Sequence, residues 1–310
     1  MTRRAPNRLL RTSAGTFELG GRPWLMGIVN ATPDSFSDDG RHGTIEQRVE
    51  LGRSMCTSGA AVIDVGGESG TTGVPPVSAD EEIERVVPVI ERLSAQVQVP
   101  ISVDTYKPAV AHAAIAAGAS IINDVSGLRD PELADVCAST GAALVLMHTR
   151  AAPKVKEFDP SLDGRALEDV LGSLRDRIEL AVGRGVAFEQ LVVDPGPDFG
   201  KTPAQSVEVL RELGELHALE RPLLLAVSRK DFIGAITGRG PRERLAGTLA
   251  AVGHGVDAGA HILRVHDVAE VAQYLRVEEV LHGLVDVDPE LRIADELRTE
   301  SAKAPPSPDR

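Results

Sequence analysis

The sequence is poor in the residues that build disulfide frameworks and membrane spans. Its 310 residues include only two cysteines, Cys56 and Cys137, which excludes a disulfide framework and a cysteine-rich metal site. Both lie in helix-like segments, where a thiol usually packs as a small apolar side chain. No apolar run approaches the roughly 18 residues that a membrane span requires, so no membrane partner is expected.

Basic residues are also in the minority. The net charge of −13 argues against a general surface for nucleic acid or acidic membranes. With 42% hydrophobic and 25% charged residues, the chain has an ordinary soluble composition, long enough for one large barrel or two medium domains. Any local cluster of Lys and Arg in such an acidic protein therefore indicates a specific anionic ligand.

The two ends of the chain differ in composition from the middle. Residues 1–14 are basic but lack the apolar core of a secretory signal, which predicts a flexible arm on a cytoplasmic protein. Gly15–Pro23 predicts a small hairpin with Gly20-Gly21 as its turn. Residues 286–310 are charged and contain the run APPSP, which predicts a partly disordered tail. One domain is therefore expected over residues 15–285.

Strand-like and helix-like segments alternate through this domain. The strand candidates are short apolar runs rich in Val, Ile and Leu, as expected for parallel strands that are covered on both faces. They are Leu25–Val29, Ala61–Val65, Pro100–Asp104, Ser120–Asp124, Ala142–Met147, Gln190–Asp194, Leu223–Val227 and His261–Val265. Eight such units over about 260 residues predict an α/β fold, the (β/α)8 TIM barrel. A doubly wound open sheet is the alternative, but no GxGxxG follows the first strand.

Polar side chains follow every one of the eight predicted strands. In a barrel of this kind the carboxyl ends of the strands meet at one rim, where active sites lie. In chain order the side chains are Asn30, Asp64, Glu68, Asp104, Asn123, Asp124, His148, Asp194, Ser228, Arg229, Lys230, Arg264 and His266. Helix capping or turn formation would explain Asp104 or Asp194 taken singly. Capping does not require lysine, arginine and two histidines there, so the rim is predicted to be a polar site.

Two groups of these residues suggest what the site binds. Arg229, Lys230 and Arg264 follow the last two strands, the region where such barrels commonly hold phosphate. Asp104, Asn123 and Asp194 would offer oxygens to a ring that carries several N–H donors.

Two other motif interpretations are rejected. Gly196–Thr202 has three residues between its glycines, whereas a P-loop has four. His148 and His266 are weak metal candidates because the first strand lacks H-x-H.

An ordered series of short motifs resembles the dihydropteroate synthases and spans Met26 to Val268. The matching pieces are Asn30–Asp38 (NATPDSFSD), Gly66–Ser69 (GGES), Ile101–Thr105 (ISVDT), Ile122–Asp124 (IND), Met147-His148, Asp194–Gly196, Phe199–Lys201, Ser228–Gly234 (SRKDFIG) and Arg264–Val268 (RVHDV). The resemblance implies a transferase of folate biosynthesis that condenses a hydroxymethyl-dihydropterin diphosphate with p-aminobenzoate and releases pyrophosphate. It also implies a homodimer.

The resemblance further implies roles for individual residues. The pterin ring would lie against Asp104, Asn123, Asp194 and Lys230, with Phe199 packing nearby. The diphosphate would be bound by Asn30, Arg264 and His266, with Mg²⁺ bridging Asn30 and phosphate oxygens. Ser228 would lie near the carboxylate of p-aminobenzoate. The implied catalytic group is Asn30, Lys230, Arg264 and His266.

Two departures from the family pattern fall on the acceptor side and near the ring. After GGES the family usually continues Thr-Arg-Pro-Gly, whereas this chain reads Gly70-Thr71-Thr72-Gly73. Asp198 stands at a position that is usually glycine-like and is expected to add negative charge near the pterin pocket. The alternatives are a pterin-diphosphate-binding paralogue with an altered acceptor or none, and a pterin-binding methyltransferase barrel. The last would have no use for Lys230, Arg264 and His266 arranged for a diphosphate.

Overall fold

The computed structural model describes residues 5–32, 43–70, 72–294 and 297–298. Ten strands occur in this part of the chain, and the first two form an antiparallel hairpin. They are β1 (Arg8–Thr12) and β2 (Gly15–Leu19). The prediction of a hairpin with its turn at Gly20-Gly21 is wrong, because Thr12 pairs with Gly15 and the turn is Ser13-Ala14. Residues 8–12 are thus a paired strand, within the segment that was predicted to be a flexible arm.

The other eight strands are parallel and form the barrel that was predicted. They are β3 (Trp24–Asn30), β4 (Ala60–Gly66), β5 (Ile101–Asp104), β6 (Ile121–Asp124), β7 (Ala143–Met147), β8 (Leu191–Asp194), β9 (Leu224–Leu225) and β10 (Ile262–Val265). Their order in the sheet is β8-β7-β6-β5-β4-β3-β10-β9. A parallel bridge between Val193 and Leu223 joins the two outermost strands. The sheet therefore closes on itself. The first and last residues of each predicted strand differ by at most two positions from those of the observed strand.

Nine α-helices lie between and after the strands in the described residues. They are α1 (Ile45–Thr57), α2 (Ala79–Ser94), α3 (Pro108–Ala116), α4 (Glu132–Thr140), α5 (Ala166–Gly183), α6 (Pro203–Arg211), α7 (Asp231–Thr237), α8 (Leu245–Asp257) and α9 (Val268–Leu281). The side chains of Thr44, Ser78 and Thr202 cap α1, α2 and α6 by accepting backbone N–H groups of the first turn. In the described parts of the chain, no helix is both long and apolar enough to cross a membrane.

The apolar core has two layers. The outer layer packs the helices on the outside of the sheet; α2, for example, buries Val86, Ile90 and Leu93. The inner layer lies within the barrel and includes Leu10 and Leu19 of the hairpin. The hairpin therefore plugs one end of the barrel and leaves the carboxyl ends of the strands as the open rim.

Some predictions fall outside the described residues. Residues 33–38 of the motif NATPDSFSD, Thr71 and most of the predicted tail are among them. Within the tail, residues 286–294 are exposed and form neither helix nor strand.

Candidate active site

The inward positions of the strands change from apolar to polar towards the rim. Side chains two residues apart on a strand point to the same side of the sheet. Near the hairpin, the inner core contains Val62, Ile121, Val192 and Ile262. Two residues further along the same strands lie Asp64, Asn123, Asp194 and Arg264. The register that fills the lower barrel with apolar side chains thus lines its upper part with polar ones.

Asp64 is at the centre of this pocket. Its Oδ2 accepts hydrogen bonds from Arg264 Nε at 2.6 Å and Asn123 Nδ2 at 3.1 Å. The guanidinium of Arg264 continues to Asp104, with 2.6 Å between Nη2 and Oδ2. Asp64 Oδ1 is buried and has no hydrogen-bond donor among the described residues. The pocket therefore offers acceptor oxygens to a ligand that carries N–H donors.

Burial shapes the charges of the pocket. It raises the pKa of Asp104 to about 7; the attraction of Arg264 opposes this shift, and the carboxylate of Asp64 adds to it. Burial also raises the pKa of Asp194, although the positive charge of Lys230 opposes the shift. The pKa of Arg264 lies above its ordinary value because Asp64 and Asp104 outweigh the effect of burial. Arg264 thus stays charged, while the charge of Asp104 depends on pH near neutrality.

The segments after β8 and β9 bring an aromatic ring and an ammonium group into contact. Gly196 has φ +59°, and a Cβ there would lie 2.1 Å from the carbonyl oxygen of His148, so the close approach requires glycine. Its N–H donates to Asp194 Oδ1 at 2.8 Å. Further along, Lys230 Nζ lies 4.1 Å from the ring centroid of Phe199. The ring of Phe199 can stack on a flat ligand, and the ammonium group of Lys230 can place a positive charge next to it.

Ser228 and His266, which were assigned to different substrates, are in direct contact. Ser228 Oγ lies 2.9 Å from His266 Nδ1 and accepts the backbone N–H of His266 at 3.2 Å. Burial lowers the pKa of His266 to about 3, and nearby positive charges add to the effect, so the ring is neutral. Because Oγ already accepts that N–H, its hydroxyl proton is available to Nδ1. This contact permits the tautomer with its proton on Nε2, in which His266 would be a neutral donor.

Arg229 is paired outside the pocket. Its Nη2 lies 2.5 Å from Asp267 Oδ1 and its Nε lies 3.1 Å from Oδ2. Its positive charge nevertheless helps to lower the pKa of His266, so Arg229 still acts on the pocket together with Lys230 and Arg264.

His148 contacts the outer layer of the barrel. Its Nε2 lies 3.0 Å from Asp169 Oδ2 on α5, and its Nδ1 lies 2.6 Å from Lys201 Nζ. Lys201 also donates to the carbonyl oxygens of Gly196 at 3.0 Å and Phe199 at 3.3 Å. Burial lowers the pKa of Lys201 to about 7. His148 and Lys201 thus hold together the chain segments that leave β7 and β8.

Two acidic residues near the rim bind backbone groups. Asp124 accepts the N–H groups of Ser126 at 2.7 Å and Leu128 at 2.5 Å, which forms a turn after β6. Asp198 Oδ2 accepts the first two N–H groups of α7 at 2.6 and 3.2 Å. The carboxylate of Asp198 therefore caps a helix, and its negative charge also opposes the lowering of the Lys230 pKa by burial, which agrees with the charge expected near the pocket.

Asn30, the implied Mg²⁺ ligand, is the last residue of β3 and is half-buried. The described residues contain no group of three or more His, Cys, Asp or Glu side chains that could hold a metal ion. Mg²⁺ commonly takes one or two protein oxygens and completes its shell with phosphate and water. One amide oxygen at the rim fits a metal ion that is bound mainly by a phosphorylated ligand.

The roles of two residues in the site became clear only from the structure. Asp64 was named as a strand-end residue but given no role, although its position two residues after Val62 indicates that it points inward. Lys201 was named only as the end of a family motif, and its contact with His148, which is 53 residues away in the sequence, could not be predicted.

The fold and the pocket together define a (β/α)8 barrel of the kind that binds a small polar ligand at the carboxyl ends of its strands. The family model described as "Pterin binding enzyme" matches residues 26–266. Dihydropteroate synthase of Bacillus subtilis is 40% identical over 275 residues, which cover 88% of this chain and 94% of that protein.

Solved structures of dihydropteroate synthases are also similar to this chain. Dihydropteroate synthase of Xanthomonas albilineans with 4-aminobenzoic acid has a TM-score of 0.80 and 43% identity, over 88% of this chain and 98% of that chain. The enzyme of the same organism in complex with 7,8-dihydropteroate has a TM-score of 0.75 and 44% identity, over 84% and 94% of the two chains. The chain belongs to the dihydropteroate synthase family.

Proposed function

We propose that the protein condenses hydroxymethyl-dihydropterin diphosphate with p-aminobenzoate to give dihydropteroate and pyrophosphate. The observation that carries this proposal is the buried carboxylate of Asp64, one oxygen of which is bound by Arg264 and Asn123 while the other has no donor in the described chain. A buried acceptor of this kind is stabilised by a ligand N–H. An aminopterin ring carries such donors along one edge.

Asp104, Asn123 and Asp194 would bind the remaining polar atoms of the pterin ring. The amide nitrogen of Asn123 is bound to Asp64, so its oxygen is the group left for the ligand. Lys230 and Phe199, already in contact, would lie against a ring face. Arg264 would orient the carboxylates of the pocket from within.

The diphosphate would lie towards Asn30, Arg264 and His266. A neutral His266 with its proton on Nε2 can donate to a phosphate oxygen without adding charge. Ser228, whose Oγ contacts Nδ1 of His266, would also lie near the carboxylate of p-aminobenzoate. Mg²⁺ bound by Asn30 and the diphosphate would neutralise charge on the leaving group.

In the reaction, the lone pair of the aniline nitrogen forms a bond to the pterin methylene carbon. The bond from that carbon to the diphosphate oxygen breaks, its electrons leave with pyrophosphate, and the nitrogen loses a proton. The carboxylates of Asp104 and Asp194 would stabilise positive charge that develops on the ring, and Arg264 and His266 would receive the departing anion. Lys230 would hold the ring in place. No strong base is required, because an aniline nitrogen is nucleophilic when neutral.

A homodimer is proposed from the family resemblance alone, and the cytoplasmic location stays a prediction from the sequence. Sedimentation of the purified protein would measure its oligomeric state.

The direct test is product formation from the dihydropterin diphosphate and p-aminobenzoate with Mg²⁺, measured together with binding of the pterin diphosphate. We expect turnover that chelation abolishes. Turnover that survives chelation would refute the metal assignment. Tight binding without turnover would favour the paralogue with an altered acceptor. Absence of both would refute the assigned ligand.

A further inference from the structure

The segment between β7 and α5, residues 148–165, contacts a segment that follows β4, a strand that is not adjacent to β7 in the sheet. Lys154 in this segment contacts Glu68 and Ser69, which follow β4. In the barrel, β5 and β6 lie between β4 and β7. The contact therefore crosses the carboxyl ends of the two strands that carry Asp104 and Asn123.

Lys154 holds the segment after β4 at two points. Its Nζ donates to the carbonyl oxygen of Ser69 and lies 3.2 Å from Glu68 Oε1. Its own carbonyl oxygen accepts the N–H of Gly73 at 3.1 Å. These contacts lie on both sides of residues 70–72. One residue of the segment after β7 thus contacts the segment after β4 at Ser69 and again at Gly73.

Glu68 connects this contact to the rest of the rim. Its carboxylate is 2.5 Å from Lys107 Nζ, 3.1 Å from the hydroxyl of Tyr106 and 3.3 Å from the backbone nitrogen of Val77. Burial alone would raise the pKa of Glu68, but Lys107 and Lys154 together hold it below its ordinary value. Glu68 is therefore ionised at neutral pH and binds groups that follow β4, β5 and β7.

We propose that Lys154 is a positioning residue that, together with Glu68, forms a strap which sets the mouth of the active site for the second substrate. The groups that it contacts, in Glu68, Ser69 and Gly73, lie outside the ring pocket of Asp64, Asp104, Asn123 and Asp194. Without the strap, the groups that bind the ring stay in place. Only the segments after β4 and β7, which lie above those groups, lose their contact with each other. The proposal rests on the proposed function, since the second substrate is taken to be p-aminobenzoate.

The test compares Lys154→Met with Lys156→Met as a matched control. Lys156 lies in the same segment but is exposed, and its Nζ is 5.8 Å from the ring centroid of Phe158. For Lys154→Met we expect KM for p-aminobenzoate to rise about tenfold or more, the effect of losing a charge-assisted hydrogen bond. Affinity for the pterin diphosphate should change less than about twofold, since its contacts remain. Lys154→Arg, which keeps the cation, should recover most of the loss.

Amide hydrogen exchange in residues 66–78 of the ligand-free protein gives a second readout that needs no turnover. Exchange should be faster in Lys154→Met and unchanged in Lys156→Met. If the wild-type protein does not use p-aminobenzoate, the proposed function fails while exchange still tests the strap. Unchanged exchange in Lys154→Met, or equal losses in pterin and p-aminobenzoate binding, would overturn the positioning role.

Discussion

At the scale of single residues, Asp104 should make ligand binding depend on pH near neutrality. Its pKa is raised to about 7, and the protonated carboxyl cannot accept two N–H bonds from a pterin edge. Affinity for the bare pterin should therefore fall as pH decreases below 7, approaching about tenfold per pH unit. Calorimetric titration across this range would measure the dependence. Asp104→Asn should remove it, and a wild-type affinity that is flat in pH would contradict the assignment.

The same carboxyl should affect the ligand-free protein with the opposite sign. A group whose folded pKa is raised favours the folded state while it is protonated. This contribution is fully present below the ordinary value of 3.8 and is lost as pH rises through about 7. The titration of Asp104 should thus weaken the free fold over the interval in which it strengthens pterin binding. Denaturant unfolding of wild type and Asp104→Asn at several pH values separates the two effects.

At the scale of elements, Asp198 joins the segment after β8 to the start of α7. Its Oδ2 accepts two N–H groups of α7, its Oδ1 lies 3.2 Å from Ser206 Oγ, and its φ is +69°. Asp198→Ala should lose about 1 kcal/mol from the cap and a similar amount because alanine disfavours this conformation. Asp198→Gly should lose only the first part. Denaturant midpoints should fall in the order wild type, glycine, alanine; equal midpoints would refute the capping role.

The position of the site was predictable from the sequence, whereas the contacts between its side chains were only partly predictable. Strand ends could be located because buried parallel strands are continuous apolar runs, and the barrel brings those ends together. The partner of each charged group could not be predicted. Arg229 binds Asp267, Arg264 binds Asp64 and Asp104, and these pairs are set by side-chain reach across strands.

At the scale of the whole molecule, the N-terminal hairpin was the part of the fold whose position was predicted wrongly from the sequence. The order and parallel direction of the barrel strands follow from eight similar units, so a few short runs were enough to predict them. In β1 the alternation that marks a strand is masked because Arg8 is half-buried and Leu9 is exposed, so residues 1–14 resembled a basic arm. Leu10 nevertheless joins the inner core.

The hairpin should stabilise the barrel without taking part in catalysis, because it lies at the end opposite the rim. Leu10 is 0% exposed, whereas Leu9 on the same strand is 49% exposed and provides a matched control. Leu10→Ala should lower the free energy of unfolding by about 2–5 kcal/mol, and Leu9→Ala by no more than about 0.5 kcal/mol. At a temperature where both variants are folded, kcat and both KM values should match those of the wild type. If Leu10→Ala changed KM without destabilising the fold, the plug would be coupled to the rim. The separation of the barrel into a structural end and a reactive end would then be wrong for this protein.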